Sequence, residues 1–530
     1  MSRGLSRRGF VVAAGATVAG CARDPSPSWQ GDWVGDAPQR GHRLRDAGSL
    51  PAPSVQRRVG AIVLGGGISG LAAARALLRG GIDDIALFEL HDEPGGNSRG
   101  HRLAGLPCPL GAHYLPLPGA QAQEVAQWLH EIGLLRQEAG RTVADERHLC
   151  HSPQERLFFD GAWHEGLLPP AEPGSTTLAQ YRRFSALVAR AQREAGFALP
   201  THRAPWTAAH AALDGETFAR WLALEGLDDA RLRWYLDYCC RDDYGAGIDT
   251  VSAWAGLHYF ASRHGFRAPD DEAGERDAVL AWPDGNAWLV RHLAAPLGDR
   301  LHGGCVVRRV SVQRDGASVD LWRESAQRAE RWSAAQLVCA LPLHVAARIV
   351  DPVPEALRIA ATAARQAPWL VANLHLEHAL IDRLGPTLAW DNVAYGSTGL
   401  GYVNAQHQSL SPVAGGTVLT AYRALRVEER AALLERPWSD WARVVVEDLR
   451  VVHPDLPDKL RRIDLARHGH AMSIPAPGVR GHPALAALRE GRGAPRLHWA
   501  HADLAGYSVF EEAFTLGDAA GRAAARALRG

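Results

Sequence analysis

The chain has 530 residues and carries 58 acidic and 58 basic side chains. This length is too great for one ordinary domain and suits two or three. The balanced charge gives no global reason to expect nucleic acid or an acidic surface as a partner. The seven cysteines show no repeated C-x-x-C spacing, which argues against a zinc or disulfide framework.

The amino-terminal segment has the pattern of an export signal. Arg7 and Arg8 precede a weakly apolar stretch that is too short to span a bilayer. "SRRGF" resembles a twin-arginine signal, and "VAGC" resembles a bacterial lipobox in which Cys21 becomes the lipidated first residue. We therefore expect residues 1–21 to be a signal, export by a twin-arginine route, and an extracytoplasmic lipoprotein held at the membrane by a lipid anchor. Residues 22–57 are rich in Pro, Gly, Ser, Asp and Arg, which predicts a linker, either a tether or a loosely docked arm.

The stretch from Ala61 to Leu90 predicts a dinucleotide-binding unit. "AIVLG" is typical of a buried parallel strand, a helix is expected from about Ile68 to Leu78, and "IALFE" is a second strand. The G-x-G-x-x-G glycines allow a tight turn, approach to a pyrophosphate and packing of helix on strand, and the acid after the second strand can bind ribose hydroxyls. The predicted contacts are Gly65, Gly66, Gly67, Ile68, Ser69, Gly70 and Glu89.

A second glycine-rich segment decides which dinucleotide is expected. "EPGGNSRG", from Glu93 to Gly100, resembles the flavin-containing amine oxidase superfamily, which includes phytoene desaturases and protoporphyrinogen oxidases. In that family the glycine pair lets backbone pass close to FAD, so the resemblance implies FAD as cofactor. "PLGAHYL", residues 109–115, resembles the family segment beside the flavin ring. The contacts implied in the glycine-rich segment are Gly95, Gly96, Asn97, Ser98 and Arg99.

Two later blocks extend the resemblance. In "CVVRRVSVQRDGASVDL", Val307 occupies the position that meets the adenine in the family. In "LHWAHADLAGYSVFEEAFTLGDAAGRAAARAL", Asp503 stands where the family has an acid near the ribityl chain. The last helix, starting at Phe510 and Glu511, would aim its amides at the pyrimidine edge of the flavin. The family's Gly-Gly before this helix is replaced here by Glu511 and Glu512.

These blocks predict an α/β fold, a discontinuous Rossmann-like FAD-binding domain with an inserted mixed α+β substrate domain. The inserted parts mix helical stretches with strand-like runs such as "WLVANLHLEHAL". In the family such a domain covers the flavin and forms the substrate cavity. The predicted FAD-binding parts are 58–115, 281–345 and 471–530, and the predicted substrate-domain parts are 116–280 and 346–470.

Catalytic residues are harder to name. No Ser-His-Asp arrangement stands out, and no metal is expected. His113 and His501 lie beside the predicted flavin segments and are weak catalytic candidates, although packed histidines explain them equally well. Asp242, Asp243 and Tyr244 either face the substrate or form the last turn of a helix. Many amine oxidases of the family place a lysine near flavin N5, whereas the only lysine of this chain, Lys459, is expected in a surface loop.

Three functions stay open at this point. The first is an FAD-dependent oxidoreductase that takes a hydride from an amine or a similar small molecule. The second is a C–C desaturase or isomerase of an apolar substrate, which the missing lysine slightly favours. The third is a non-catalytic flavoprotein that acts as a binding partner. The electron acceptor stays open among oxygen, a quinone and a carrier protein.

Overall fold

The computed structural model describes residues 29–35, 37–45, 51–263, 265–269, 278–409, 416–491 and 495–530. The predicted signal, with Arg7, Arg8 and Cys21, lies outside these residues. Within the described ranges no helix has both the length and the apolar character that crossing a bilayer requires.

The first sheet joins three separate parts of the chain. Val55–Leu64 pairs in parallel with Ile85–Phe88 on one side and with Arg328–Cys339 on the other. Leu497–Trp499 pairs in parallel with the end of Arg328–Cys339. The strand order is Leu301–His302, Ile85–Phe88, Val55–Leu64, Arg328–Cys339, Ala317–Arg323, Cys305–Val312 and Val350–Asp351, with Leu497–Trp499 off this path. The predicted discontinuous Rossmann-like unit is confirmed.

The centre of this sheet is apolar on both faces. Ala61, Ile62, Val63 and Leu64 are fully buried, as expected of a parallel strand covered by helices on each side. The helix Ile68–Arg79 follows that strand, and the helix Phe510–Arg529, here called the closing helix, packs along it. The buried strand residues and the helix faces that cover them form the core of the nucleotide-binding part.

A second sheet is assembled from both insertions. Its strand order is Leu460–Ile474, Arg365–Leu376, Thr417–Ala424, Tyr402–Asn404, Asp391–Ala394, Glu155–Phe159 and Ala162–Glu165. The hairpin from the first insertion joins the sheet because Glu155–Phe159 pairs in parallel with Asp391–Ala394. The sheet therefore unites segments more than two hundred residues apart into one inserted α+β layer.

The helix that carries "RDDY" belongs to the first insertion and follows the strand Ala162–Glu165 along the chain. It spans Ala230–Tyr244 and begins because the Asp229 carboxylate accepts hydrogen bonds from the amides of its first turn. It ends at Gly245, whose φ of +69° gives a left-handed cap. Asp242 and Asp243 thus lie in its last turn, where the sequence left open whether they also face the substrate.

The described residues before the first strand are docked against the rest of the fold. The described residues 29–35 and 37–45, here called the strap, run along the edge strand Leu460–Ile474 and then cross to the nucleotide-binding part. Main-chain hydrogen bonds join Gln30 and Val34 to that edge strand at 2.8–3.1 Å. Arg40 then bonds Asp92 at 2.9 Å, and Arg43 pairs with Glu324. The strap touches both parts of the fold, whereas its composition left open a tether or a loosely docked arm.

Several element boundaries differ from the predicted domain limits. The first strand begins at Val55, inside the predicted linker. Val350–Asp351 pairs with the first sheet beyond residue 345, and Leu460–Ile474 continues the second sheet past residue 470. Strand pairing, which depends on distant partners, sets these ends, and composition alone does not report it.

The remaining elements are short or helical. Two-stranded sheets pair Tyr114–Pro116 with Val279–Ala281, Gly100–Leu103 with Leu106–Pro109, and Leu135–Glu138 with Arg141–Ala144. The other helices in the described ranges are Pro38–His42, Gln123–Glu131, Thr176–Glu194, Ala208–Asp214, Phe218–Leu224, Ala253–Ala261, Ala287–Ala294, Leu343–Ile349, Glu355–Ala363, Arg430–Glu435, Trp438–Arg450, Leu456–Lys459 and Pro483–Arg489.

Candidate active site

In the glycine turn, the fold itself requires glycine at Gly65 and Gly70 but would accept a side chain at Gly67. Gly65 has a φ of +94°, and a Cβ atom at Gly70 would lie 1.8 Å from the carbonyl oxygen of Gly65. At Gly67, by contrast, a Cβ atom would have no protein atom within 4 Å. The space beside Gly67 is therefore left for a group other than the protein, as approach of a pyrophosphate would require.

The helix start beside this space is open to a ligand. Gly67 is the N-cap and offers no side chain to the first-turn amides, while Ile68 and Ser69 are buried. The orphan amides and the helix dipole together favour an anion at this position.

Glu89 is held in place by the same turn. Its Oε2 accepts a hydrogen bond from the Gly66 amide at 2.6 Å, and its Oε1 accepts one from the His91 amide at 2.9 Å. Burial alone would raise the pKa of Glu89, but the hydrogen bonds from His91 and Gly66 outweigh burial and lower it. An ionised, fixed carboxylate suits the predicted contact with ribose hydroxyls.

The second glycine pair lies against the first turn. The Gly95 amide donates to the Gly66 carbonyl at 2.8 Å, and a Cβ atom at Gly96 would lie 3.4 Å from the Gly67 Cα. Gly95 and Gly96 both have positive φ, at +130° and +56°. The structure therefore brings the two predicted glycine segments together around one space.

The other three residues of this segment bond within the protein. The buried Ser98 donates its amide to the Gly95 carbonyl at 2.9 Å, and Arg99 Nε donates to the Gly96 carbonyl at 3.1 Å. Asn97 Nδ2 donates to the Ala471 carbonyl at 2.5 Å, which links the segment to the second sheet. These bonds give Asn97 and Arg99 positioning contacts, and their predicted role toward FAD stays a prediction.

Asp503 provides a buried acceptor beside His501. It is 1% exposed, and its Oδ2 accepts the Leu343 amide at 3.0 Å. Its Oδ1 lies 3.3 Å from Nδ1 of His501, but that nitrogen accepts the Asp503 amide, so among the described residues Oδ1 receives no well-formed hydrogen bond. Burial would raise the pKa of Asp503, but the nearby His501 and the hydrogen bonds to the carboxylate outweigh burial and lower this pKa to about 2. An ionised oxygen with this spare capacity fits a ligand hydroxyl, as the resemblance implied for the ribityl chain.

Val307 and the closing helix complete the predicted contacts. The strand that holds Val307 starts beside Glu89, because the Cys305 amide donates to the Glu89 carbonyl at 2.8 Å. The closing helix begins at Phe510 without a side-chain cap, so its first amides are unclaimed by side chains. Glu511 in this first turn is 4% exposed, and burial raises its pKa to about 7. The residues present, with room at Gly67 and an ionised, buried acceptor at Asp503, fit an FAD molecule.

Aromatic rings gather beside segment 109–115. His113 stacks on Tyr422 with ring centroids 4.5 Å apart, and Tyr114 meets Trp390 edge-on at 5.7 Å. The Tyr422 hydroxyl donates to the Gly111 carbonyl at 3.1 Å. Burial lowers the pKa of His113 to about 4, so the imidazole is neutral near pH 7 and is no general acid there.

Carboxyl groups from two different elements act on these rings. Burial raises the pKa of Tyr114, and the charges of Asp242, Asp243 and Asp391 raise it further. Asp243 is paired with Arg263 at 3.0 Å, whereas Asp242 has no hydrogen bond or ion pair in the described part of the chain. We call His113, Tyr114, Trp390, Tyr422, Asp242 and Asp391 the aromatic–acidic cluster.

The pKa values of both acids in the cluster are raised, so their carboxyl groups ionise less readily than usual. Burial raises the pKa of Asp242 to about 7, with further increases from Asp243 and Glu155. Burial also raises the pKa of Asp391, and the charges of Glu155 and Asp242 add to this effect. A cation placed between them would relieve both effects, because an opposite charge favours the ionised form. Trp390, Asp391 and Tyr422 carry no motif and were not predicted from sequence.

The second histidine candidate, His501, two further histidines and the lysine all bond within the fold. His501 Nδ1 accepts the Asp503 amide at 3.1 Å and caps the short turn that follows it. His498 contacts Gln336 at 2.9 Å, and His468 contacts the Leu110 carbonyl at 2.7 Å. Lys459 pairs with Asp455 at 2.7 Å at the end of the second sheet. No group of three His, Cys, Asp or Glu side chains in the described ranges is placed to hold a metal ion.

A family profile described as "Flavin containing amine oxidoreductase" matches residues 68–528 of the chain. The chain belongs to this family. Its membership of the flavin-containing amine oxidoreductases confirms the predicted resemblance and FAD as the cofactor. The match begins at Ile68, after the strand Val55–Leu64 and Gly67, and it runs through the second sheet into the closing helix as far as residue 528.

Relatives and solved structures agree with this family. The chain is 28% identical over 276 residues to AofH of Mycobacterium tuberculosis, a protein named as a flavin-containing monoamine oxidase. That match covers 51% of this chain and 54% of AofH, so the chain spans about half the length of the curated relatives it matches.

The fold likeness extends further along the chain. The structure of cyclohexylamine oxidase from Brevibacterium oxydans is 18% identical with a TM-score of 0.65, covering 89% of this chain and all of that one. A fatty acid isomerase from P. acnes is 14% identical with a TM-score of 0.62, covering 87% and 97%. At these identities the likeness shows the fold, which amine oxidases share with an isomerase.

Proposed function

We propose that this flavin-containing amine oxidoreductase removes a hydride from the carbon beside the nitrogen of an amine that binds as a cation. The observation that carries the proposal is the aromatic–acidic cluster. In this cluster Asp242, which has no hydrogen bond or ion pair among the described residues, and Asp391 lie close enough for their charges to raise the pKa of Tyr114 and Tyr422. These two rings contact the rings of Trp390 and His113. Carboxylates with aromatic faces are the groups that bind alkylammonium ions.

The residues of the chain have separate tasks in this scheme. When bound, FAD supplies the redox chemistry by accepting a hydride. The turn at Gly65–Gly70 would hold the cofactor by its diphosphate, and Glu89 and Asp503 would hold it by hydroxyl groups. The rings of the cluster exclude water and orient the substrate chain.

Asp242 has a second task, because hydride loss requires a neutral amine. With a pKa of about 7, its carboxylate oxygen can accept the ammonium proton near neutral pH. His113 is less suited to this task because burial lowers its pKa to about 4.

The desaturase or isomerase alternative has one observation in its favour. Lys459 is the only lysine of the sequence, and its ion pair with Asp455 places it at the end of the second sheet rather than in the cluster. The acids of the cluster weigh against an apolar substrate, because burying a carboxylate against hydrocarbon is unfavourable without a compensating charge.

The decisive experiment is anaerobic reduction of the FAD-loaded protein. Benzylamine, putrescine and an unsaturated fatty acid are each added, and bleaching of the flavin absorption is followed. An amine should bleach the flavin, and Asp242→Asn should slow bleaching by about tenfold or more. Asp249→Asn, at an exposed position just beyond the same helix, is the matched control and should react like the wild type.

Two results would contradict the proposal. Conversion of the fatty acid with no bleaching by either amine would favour the isomerase. Failure of every compound to reduce the flavin or react would favour the non-catalytic binding partner.

We also propose that the protein is exported and tethered by a lipid at Cys21. The support is the sequence alone, a twin arginine followed by a lipobox-like "VAGC". In a bacterial host, labelled palmitate should enter the wild type and not Cys21→Ser. Equal labelling of both proteins would refute the lipid attachment at this cysteine.

A further inference from the structure

A cavity of about 270 Å³ lies apart from the aromatic–acidic cluster. It is enclosed by the loop after the helix Thr176–Glu194, by the region that begins the helix Pro483–Arg489, and by one face of the closing helix. The residues used below are Thr201, Trp206, Arg480, Arg489, Glu512 and Leu516.

Arg480 is the unusual member of this lining. It is 8% exposed, and its guanidinium makes no hydrogen bond or ion pair within the described residues, with Nε enclosed and unpaired. Two tryptophan rings flank it, Trp206 at 5.2 Å and Trp254 at 5.6 Å. A buried cation normally has a carboxylate or several acceptors, because an unpaired buried charge is strongly unfavourable.

A second guanidinium faces the same space. Arg489 donates to the Leu504 carbonyl, and burial lowers its pKa to about 10, so it is still charged near neutral pH. The acid in the lining, Glu512, is already engaged, because its Oε1 accepts the Thr201 amide at 2.6 Å and the Tyr507 hydroxyl at 3.1 Å. Asp214, another buried carboxyl near Arg480, accepts the Gly481 amide at 3.0 Å, and burial raises its pKa. Neither carboxyl is hydrogen-bonded to Arg480, so the donors of this guanidinium are left for a ligand.

We propose that this cavity binds a small organic monocarboxylate. The carboxylate would accept hydrogen bonds from Arg480 and Arg489, since guanidinium groups match carboxylates in geometry and charge. The body of the ligand would lie on Trp206 and Leu516. The lining also contains Ala204, Ala486 and Ala505, which favours an apolar body over a bare inorganic anion.

The test measures binding to the full-length, FAD-loaded protein by calorimetry. Sodium benzoate is the probe, benzamide its uncharged analogue, and inorganic phosphate the bare anion. Benzoate should bind about tenfold or more tightly than either of the others. Arg480→Gln should weaken benzoate binding by about tenfold or more, since one charge-assisted pair is lost. Arg314→Gln, on an exposed hairpin turn, is the charge-matched control and should leave binding unchanged.

Flavin absorption separates this cavity from the cluster. Benzoate bound in the cavity should leave the flavin spectrum unaltered. Benzoate affinity that survives Arg480→Gln, or phosphate binding in place of benzoate, would overturn the proposal. Should Arg480→Gln fail to fold, Trp206→Ala replaces it, because Trp206 is 39% exposed and its loss should weaken benzoate several-fold with folding intact. Unchanged affinity in Trp206→Ala would likewise count against the site.

Discussion

The fold itself does not require a glycine at position 67, whereas we expect the cofactor to require one. A side chain there would meet no protein atom within 4 Å, whereas one at Gly70 would collide with the Gly65 carbonyl. The two glycines look alike in the motif, yet only the second is required by the protein alone. Substitutions at them should therefore fail in different ways.

We predict that Gly67→Val folds but does not retain FAD, because the valine fills the space left for the pyrophosphate. The measurement is the flavin-to-protein absorbance ratio, with circular dichroism to verify folding. Gly119→Val is the control, since its Cβ also has open surroundings outside the site. A yellow Gly67→Val protein with normal flavin content would contradict the assignment of this turn.

Asp242 should make stability depend on pH. Its pKa is raised by burial to about 7, so the folded protein holds this proton over a range where the unfolded chain has lost it. The ionised form therefore destabilises the fold progressively as pH rises from about 4 toward 7. Asp242→Asn should match the wild type near pH 4 and exceed it near pH 8 by on the order of 1–3 kcal/mol.

Thermal unfolding at the two pH values measures this difference. Asp249→Asn, at its exposed position, should have the same unfolding temperature as the wild type at both pH values. Equal unfolding temperatures for Asp242→Asn and wild type near pH 8 would show that Asp242 is not held against ionisation.

The residues of the first glycine turn were predictable because they belong to a short motif whose spacing is fixed by local geometry. Gly65, Gly67, Gly70 and Glu89 come from one strand–turn–helix–strand unit, so one window of sequence contains them. Asp391, Trp390 and Tyr422 reach the site only through pairing of the second sheet. No local pattern reports such pairing, so these three could not be predicted.

At the level of elements, the closing helix is held against the helix Ile68–Arg79 by unusually close backbone contact. A Cβ atom at Gly517 would lie 2.0 Å from the Ser69 carbonyl oxygen, and one at Gly521 would lie 2.3 Å from the Ala73 carbonyl oxygen. These glycines allow the amino-terminal and carboxyl-terminal helices to share one face of the first sheet.

Gly517→Val should therefore push the two helices apart and lower the free energy of unfolding by about 3 kcal/mol or more. Ala519→Val is the matched control, because it places the same side chain on the exposed face of the closing helix. It should change the free energy of unfolding by less than about 1 kcal/mol. Denaturant unfolding measures both, and similar values for the two variants would contradict the close packing.

Element types were predictable where apolar periodicity is strong. The helix expected from about Ile68 to Leu78 is present as Ile68–Arg79, and the helix expected to start at Phe510 begins there. The ends of the strands were less predictable. Leu460–Ile474 runs through "RHGHAMSI", whose polar residues hide a strand that its partner Arg365–Leu376 stabilises.

At the scale of the molecule, the strap contacts both the nucleotide-binding part and the second sheet. Trp29 is 8% exposed and meets Trp438 edge-on at 5.8 Å, and a Cβ atom at Gly31 would lie 1.8 Å from the Ile463 carbonyl oxygen. Composition left open a tether or a loosely docked arm because Pro, Gly and charged residues dominate this segment. Two tryptophans and main-chain pairing with an edge strand were enough to dock it.

Gly31→Val should release the strap, because valine cannot fit against the edge strand. Limited trypsin digestion should then cut after Arg40, Arg43 or Arg45 faster than in the wild type. Gly41→Val is the control within the same strap, since the nearest atom to its Cβ is 3.9 Å away. Equal digestion rates for Gly31→Val and Gly41→Val would argue against docking.

The strand Leu497–Trp499 and the closing helix complete the nucleotide-binding part. The cofactor can therefore be retained only after both have been synthesised. Asp503 and the helix start at Phe510 are translated last among the contacts named here. At about 5–20 residues per second, the ribosome reaches them roughly half a minute to two minutes after initiation. Until then the nascent polypeptide offers only the phosphate end of the site, so stable flavin capture must wait for synthesis of Asp503 and the closing helix.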